Sequence, residues 1–242
     1  MKPEANAITR LKAEGRAQLL PELNTLVRIN IGFFLIQVML NNIASDLFAG
    51  TTVLSLILSE AAVLLASLLL GLFQYGYYSA YLKGLYHHNP SFRDLFCGFK
   101  VQPDRSIKVQ LPFALIELVC LLPASLYSYL APEELPFRNY ILVLAVLYLF
   151  GSILSMLLCL PLFIVWFLLA EYDNITAAQA LRTSCRLMKG HLLQALLLKL
   201  SFIPISLLGL LSFGIGNLWI KAYRFASFSV FYKELLTQGN RQ

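Results

Sequence analysis

The chain has 242 residues, of which 58% are hydrophobic and only 13% charged, with a mean hydropathy of +0.69 and a formal net charge of +6. A soluble domain carries about twice that charged share, and one core of this size cannot hide so much apolar surface; lipid must therefore solvate most of the chain, which excludes most soluble enzyme folds. A pI near 9.2 would suit nucleic acid, but the basic residues are dispersed at the ends of apolar runs, where anionic lipid headgroups are the expected partner and nucleic acid is not.

Residues 1–25 read as a cytoplasmic amphipathic segment, with Ile8, Leu11, Leu19 and Leu20 among Arg10, Lys12 and Arg16, ending at Pro21. The stretch is too polar for a cleaved signal peptide. Four runs lack any Asp, Glu, Lys or Arg for 17 or more positions: 29–45, 61–82, 139–170 and 200–220. A hydrocarbon layer needs roughly 20 helical residues, so each reads as a span. Residues 109–130, interrupted only by Glu117, and 217–235, after the turn Ser212-Phe213-Gly214-Ile215-Gly216, add two more. The fold expected is an all-α integral membrane protein: a six-transmembrane-helix bundle over 26–236 with amphipathic cytoplasmic helices and a tail at 237–242. Unbroken Leu-rich runs without period-2 alternation exclude a transmembrane β-barrel.

Charge orients the bundle. Of the 19 Lys and Arg, 15 precede the first span, join the second to the third and the fourth to the fifth, or follow the sixth, whereas the opposite loops hold Arg138 alone. This bias predicts that both termini are cytoplasmic. Cys97, Cys120, Cys159 and Cys185 have neither CxxC nor metal-ligand spacing and are expected to be free thiols.

Two of the cytoplasmic connections carry helix-start signals. Ser91 and Asp94 have capping-box spacing ahead of Phe92, Leu95, Phe96 and Phe99, and Thr176 and Gln179 repeat it ahead of a face made of Ala177, Leu181, Cys185 and Met188. Arg182, Arg186 and Lys189 share another face of the second segment, so apolar and basic stripes lie side by side as an interfacial helix requires. Phe92, Phe96, Arg182, Arg186 and Lys189 are therefore the candidate cytoplasmic interface. An Asn before each box (Asn89, Asn174) and a Gly after each segment (Gly98, Gly190) are compatible with a 3+3 pseudo-repeat.

Further residues of the second half carry a resemblance. Asp173-Asn174, Ala180-Leu181, Ser184 and Leu187-Met188-Lys189-Gly190-His191, with Gly214-Ile215-Gly216, Leu218-Trp219, Tyr223, Ala226, Phe231-Tyr232 and Glu234-Leu235, resemble the bacterial multi-pass membrane family catalogued as domain of unknown function 975. Leu95-Phe96 and Gly98-Phe99 match its first cytoplasmic segment. The chain departs from that pattern in the fourth span, where Pro161-Leu162, Phe163, Trp166 and Phe167 stand in place of a Pro-Gly pair and a more polar continuation. The resemblance implies a bacterial cytoplasmic membrane protein and supplies no activity.

Chemistry must then come from ionisable groups inside the spans, each costing roughly 2.5–3.5 kcal/mol on insertion scales. Glu60 falls about two turns into span two, Glu117 near the middle of span three, Lys199 in the inner half of span five, and Lys221 with Arg224 in the outer half of span six. Helix-end counting puts Glu60 level with Lys221 and Arg224, so Glu60 is expected to pair with one of them, with Glu117 lower on the same polar track. Otherwise the cations would snorkel to headgroups. Gln74 is placed to hydrogen-bond another helix. Gly76, Ala80 and Gly84, and likewise Gly151, Ser155 and Cys159, read as close helix packing. His87-His88 lack a third metal ligand and read as a turn, and no metal, cofactor or catalytic motif is expected. The function expected is non-enzymatic binding of a lipid, peptide, protein partner or second copy at the cytoplasmic membrane; the alternative is a small-solute or ion transporter or channel using the intramembrane charges.

Overall fold

The computed structural model describes residues 2–48, 50, 52–86, 88–101, 103–131, 136–172, 174–212, 214 and 216–239, without the side chains of 2–6, 18–20, 210, 211 and 239. The expectations placed on Leu19, Leu20, His87, Asp173, Phe213 and Ile215 therefore lie outside the described residues. All regular structure among the described residues is helical: α1 (Lys2–Asp46), α2 (Val53–Leu85), a 3-10 helix (Phe92–Phe99), α3 (Pro103–Leu130), α4 (Phe137–Leu158), a short 3-10 turn (Leu160–Leu162), α5 (Val165–Glu171), α6 (Ala177–Met188), α7 (Leu192–Leu200), α8 (Ile203–Leu211) and α9 (Gly216–Gly239). Five helical stretches are long and apolar enough to cross a membrane: Pro21–Asp46, Val53–Leu85, Pro103–Leu130, Phe137–Leu158 and Leu192–Gly209. The expected sixth, α9, is not among them, because Lys221, Arg224, Lys233 and Glu234 dilute its hydropathy.

The antiparallel pair α1 and α9 sets the frame. The Arg10 guanidinium pairs with Glu234, Gly15 lies against Ser227, and Asn30 Nδ2 donates to Leu218 O at 2.9 Å. Both described chain ends therefore sit at one end of the bundle, here the terminal end; the α1–α2 and α3–α4 connections mark the distal end. α2 runs through the middle, packed on α1, α3, α5 and the 3-10 helix, and α3 carries α4 on its other side.

Four features differ from the expectation. α1 continues straight through Pro21 instead of ending there, since a proline forfeits one backbone hydrogen bond and packing on a neighbouring helix can outweigh that loss. The amphipathic stretch and the first apolar run thus share one helix. The fourth apolar run breaks at 159–164 around Pro161, and the fifth breaks at Ser201-Phe202 just before Pro204. Lastly, the first turn of α9 meets α1 at Asn30, 16 residues and roughly 24 Å from the distal end of α1 at Asp46. The turn before α9 thus does not reach the level of the other distal connections.

The two capped segments form with the expected boxes, Ser91 with Asp94 and Thr176 with Gln179. Their forms differ, the first being a 3-10 helix and the second an α-helix. The 3-10 helix lies backbone to backbone on α2: a Cβ at Gly98 would come 2.0 Å from Leu72 O, and one at Gly76 2.3 Å from Asp94 O. Gly76 is thus a packing position, as its small-residue stripe suggested, while a Cβ at Gly84 would meet nothing closer than 3.7 Å.

Candidate intramembrane cavity

Three of the five intramembrane ionisable residues meet in one cavity of about 500 Å³, lined by Glu117 of α3, Lys199 of α7 and Arg224 of α9 together with Gln74, Gln110 and an aromatic wall. Both helix breaks face it: Cys159 and Phe163 bracket the break in the fourth run, Lys199 and Ile203 the break in the fifth. The carbonyls freed at the breaks are recovered across the bundle. Ser184 Oγ, fully buried on α6, donates to Pro161 O at 2.9 Å, and Lys12 Nζ donates to Ser201 O at 2.9 Å while lying over the Phe202 ring.

The two cations of the cavity have no anionic partner among the described residues. Lys199 Nζ sits 4.4 Å from the Phe163 ring centroid and Arg224 lies over Phe225, but neither side chain donates a hydrogen bond or joins an ion pair. Arg224 Nε, Gln74 Oε1 and Gln110 Oε1 are buried without partners. Gln74 thus lacks an interhelical acceptor bond, and Gln110 spends only its amide nitrogen, on Ser67 Oγ. Unpaired charge and unspent amide oxygens thus line one space.

Glu60 does not pair with Arg224 or Lys221. It lines a second cavity of about 400 Å³ toward the distal end, with Ser59, Ser67, Ser125, Ser128 and again Glu117, the residue common to both cavities. Counting from helix ends failed because α9 begins so far short of the distal end; Arg224 comes level with Gln74, 14 residues and roughly 21 Å along α2 from Glu60. Lys221 leaves the track altogether and lies 5.1 Å over Phe33 and 5.7 Å over Tyr77.

The candidate interface residues stay at the surface. Arg182, Arg186 and Lys189 are exposed on α6, whose buried stripe is Ala177, Ala180, Ser184 and Met188, rotated slightly from the face through Leu181 and Cys185. Phe92, Phe96 and Phe99 are exposed while Leu95 between them is fully buried.

Sequence reasoning missed the polar clusters of the terminal end. Asn30, fully buried, accepts from Tyr77 at 2.6 Å and Tyr81 at 2.9 Å. Lys83 pairs with Asp94 at 2.6 Å, and the Asp94 carboxylate also accepts from Ser91 N. Glu171 accepts from Tyr86 at 2.8 Å and from Tyr232. Burial and the Glu171 carboxylate push the Tyr86 phenol up to about 12. Burial beside Asp94 raises the Cys97 thiol. A signal existed in part: Tyr77, Tyr78 and Tyr81 cluster within five residues of an apolar run, and buried tyrosines need partners for their hydroxyls.

The fold and the cavity define a helical protein, compatible with a multi-pass membrane protein, with discontinuous helices around a cation-bearing space. A family model described as protein of unknown function DUF975 matches residues 8–239, and the chain belongs to that family. No curated protein and no solved structure matches the chain.

Proposed function

We propose that the protein is a non-enzymatic membrane protein that binds one small anion in the cavity between Lys199 and Arg224. The observation that carries this reading is the pair of cations in one cavity bordered by both helix breaks, with no ion-pair partner among the described residues. Two cations against the single carboxyl of Glu117 leave a deficit of one negative charge, and a bound monoanion offsets the desolvation cost of holding them there. The aromatic wall, including Phe113, Phe163, Trp166 and Phe228, suits an anion with an apolar body. The reading extends to a bacterial cytoplasmic membrane protein with six membrane-embedded helices and cytoplasmic termini. The 15-to-1 basic bias supports that orientation, and the Arg10–Glu234 contact supports a shared side for the termini.

Transport is the second reading, favoured by discontinuous helices whose breaks border the site, an arrangement that recurs in secondary transporters. The exposed stripe of Arg182, Arg186 and Lys189 supports a further contact with anionic headgroups. The test of anion binding is thermal melting of the purified full chain in detergent at low salt with benzoate, inorganic phosphate or the neutral benzamide. An anion that binds only the folded state raises the melting temperature. Benzoate or phosphate should do so in the wild type, benzamide should not, and Lys199→Gln with Arg224→Gln should abolish the shift. No anion-specific shift in the wild type rejects the reading.

A further inference from the structure

We infer that the ligand of the Lys199–Arg224 cavity is an anionic lipid with a hydroxyl-bearing phosphodiester head, which enters sideways from the bilayer. The inference rests on the anion-binding reading and adds the route, the tail and the chemistry of the head.

The route follows from what guards each approach. From the distal end an anion would pass the second cavity, which is lined by Glu60 and by Glu117, the carboxyl shared with the first. Three of its five serines, Ser45, Ser59 and Ser128, spend their hydroxyl hydrogens on carbonyls of their own helices, at 3.0, 2.9 and 2.7 Å, and so offer an incoming anion only oxygen lone pairs. Like charge in a low-dielectric passage repels the ligand before it reaches the cations. Toward the terminal end, Tyr78 closes the way, ringed by Trp166, Phe167 and Phe225.

The side is open. α3 packs on α4 and α8 packs on α9, but no extensive packing joins the two pairs. A groove on α8 and α9 continues from the cavity through the same Lys199, Arg224 and Ile203 to Ser206, Leu207 and Asn217. Ile203 and Leu207 are 49% and 61% exposed there, on a face of an apolar helix that no other described element covers. The two cations thus stand at the inner end of a lipid-facing groove. A polar head fits the cavity while its acyl chains stay along α8 in hydrocarbon, where they have no reason to leave.

The chemistry of the head follows from the atoms left over. Lys199 and Arg224 supply donors for an anionic oxygen. Gln74 Oε1 and Gln110 Oε1 are buried acceptors without donors, and a bare carboxylate or a choline group brings none. A phosphodiester carrying glycerol hydroxyls brings both the single negative charge and the missing donors.

Native mass spectrometry of the full chain tests this, in maltoside micelles containing equal amounts of phosphatidylglycerol, phosphatidylcholine and oleate. Wild type should retain one phosphatidylglycerol per chain in preference to the other two. Lys199→Gln with Arg224→Gln should cut that retention roughly tenfold or more, as loss of charge-assisted hydrogen bonds implies. Equal retention of phosphatidylcholine or oleate by the wild type overturns the inference without relying on a variant that must fold. So does loss of the bound lipid on Arg182→Gln with Arg186→Gln while the cavity variant keeps it, because the lipid would then sit on the α6 surface. If benzoate or phosphate raises the melting temperature while phosphatidylglycerol is not preferred, only the lipid inference falls. If none of them binds, the anion-binding reading falls with it.

Discussion

The distal and terminal ends of the bundle handle the same problem, polar groups in an apolar medium, in opposite ways. At the distal end the hydroxyls and amides turn back on their own helices: Asn42 to Val38 O, Ser45 to Asn42 O, Ser59 to Leu56 O and Ser128 to Ser125 O. α4 buries only Gly151 and leaves apolar side chains exposed on nearly every face. At the terminal end Ser227, Ser229 and Thr237 also bond within their own helix, but Asn30, Lys83, Glu171, Ser184 and Lys12 reach across to other elements. Lipid offers a helix no reason to choose a neighbour, whereas a cross-helix hydrogen bond fixes one position and register. The distal end therefore behaves as a set of anchored spans, and the terminal end as a packed core able to hold helix breaks open around a cavity.

The largest effect should come from destroying the closest approach in that core. Gly98→Ala places a methyl 2.0 Å from Leu72 O, where only backbone movement can relieve the clash. Overpacking of this kind typically costs about 1–3 kcal/mol and more where backbone is the obstacle. Folded yield and melting temperature in detergent should fall sharply for Gly98→Ala but barely for Gly84→Ala, whose nearest neighbour would be 3.7 Å away. Equal tolerance at both positions would mean that the 3-10 helix does not lie on α2.

Next comes the buried amide. Asn30→Leu leaves the Tyr77 and Tyr81 hydroxyls without this acceptor and removes the side-chain donor to Leu218 O, which keeps its helical bond. Each buried group so stranded costs about 1–3 kcal/mol, although relaxation keeps the total below a simple sum. The counterpart at the distal end, Asn42→Leu, removes an exposed bond within one helix and should change the melting temperature little or raise it. Comparable losses from the two substitutions would erase the contrast between the ends.

This contrast bounds what the sequence could tell. The two capping boxes were legible because Ser91 and Asp94, or Thr176 and Gln179, act over three residues. The membrane class was legible because hydropathy sums over a window. The breaks were not. Pro161 and Pro204 accompany them, yet Pro21, Pro112 and Pro123 sit inside unbroken helices, so the outcome depends on whether a Ser184 or a Lys12 arrives from elsewhere to take the freed carbonyl. The cavity was legible in its residues but not in its geometry. Glu117, Lys199 and Arg224 stood out as charges in apolar runs and do share one space. Their depths could not be counted from helix ends, because a turn that stops short of the distal end looks, in sequence, the same as one that reaches it.

The smallest expected effect concerns the edge of the terminal core, where Tyr86 caps the end of α2 and donates to Glu171. Burial and the neighbouring carboxylate favour the neutral phenol in the folded protein and raise it to about 12, against an unfolded value near 10. A group whose folded-state value is raised lends stability that is fully present below the unfolded value and is lost as pH climbs through the folded one. The loss therefore falls between about pH 10 and 12. Tyr86 is 38% exposed, so solvent screens the interaction and the contribution is modest. Lysine deprotonation also lowers stability in this range, but equally in a variant that lacks only the phenol. Tyr86→Phe should thus lose less melting temperature than the wild type between pH 9.5 and 11.5, even though it starts slightly lower at pH 7 for want of one hydrogen bond. Parallel curves would mean that Tyr86 titrates alike in the folded and unfolded chains, and that the cross-helix network of the terminal end stops short of α2's last turn.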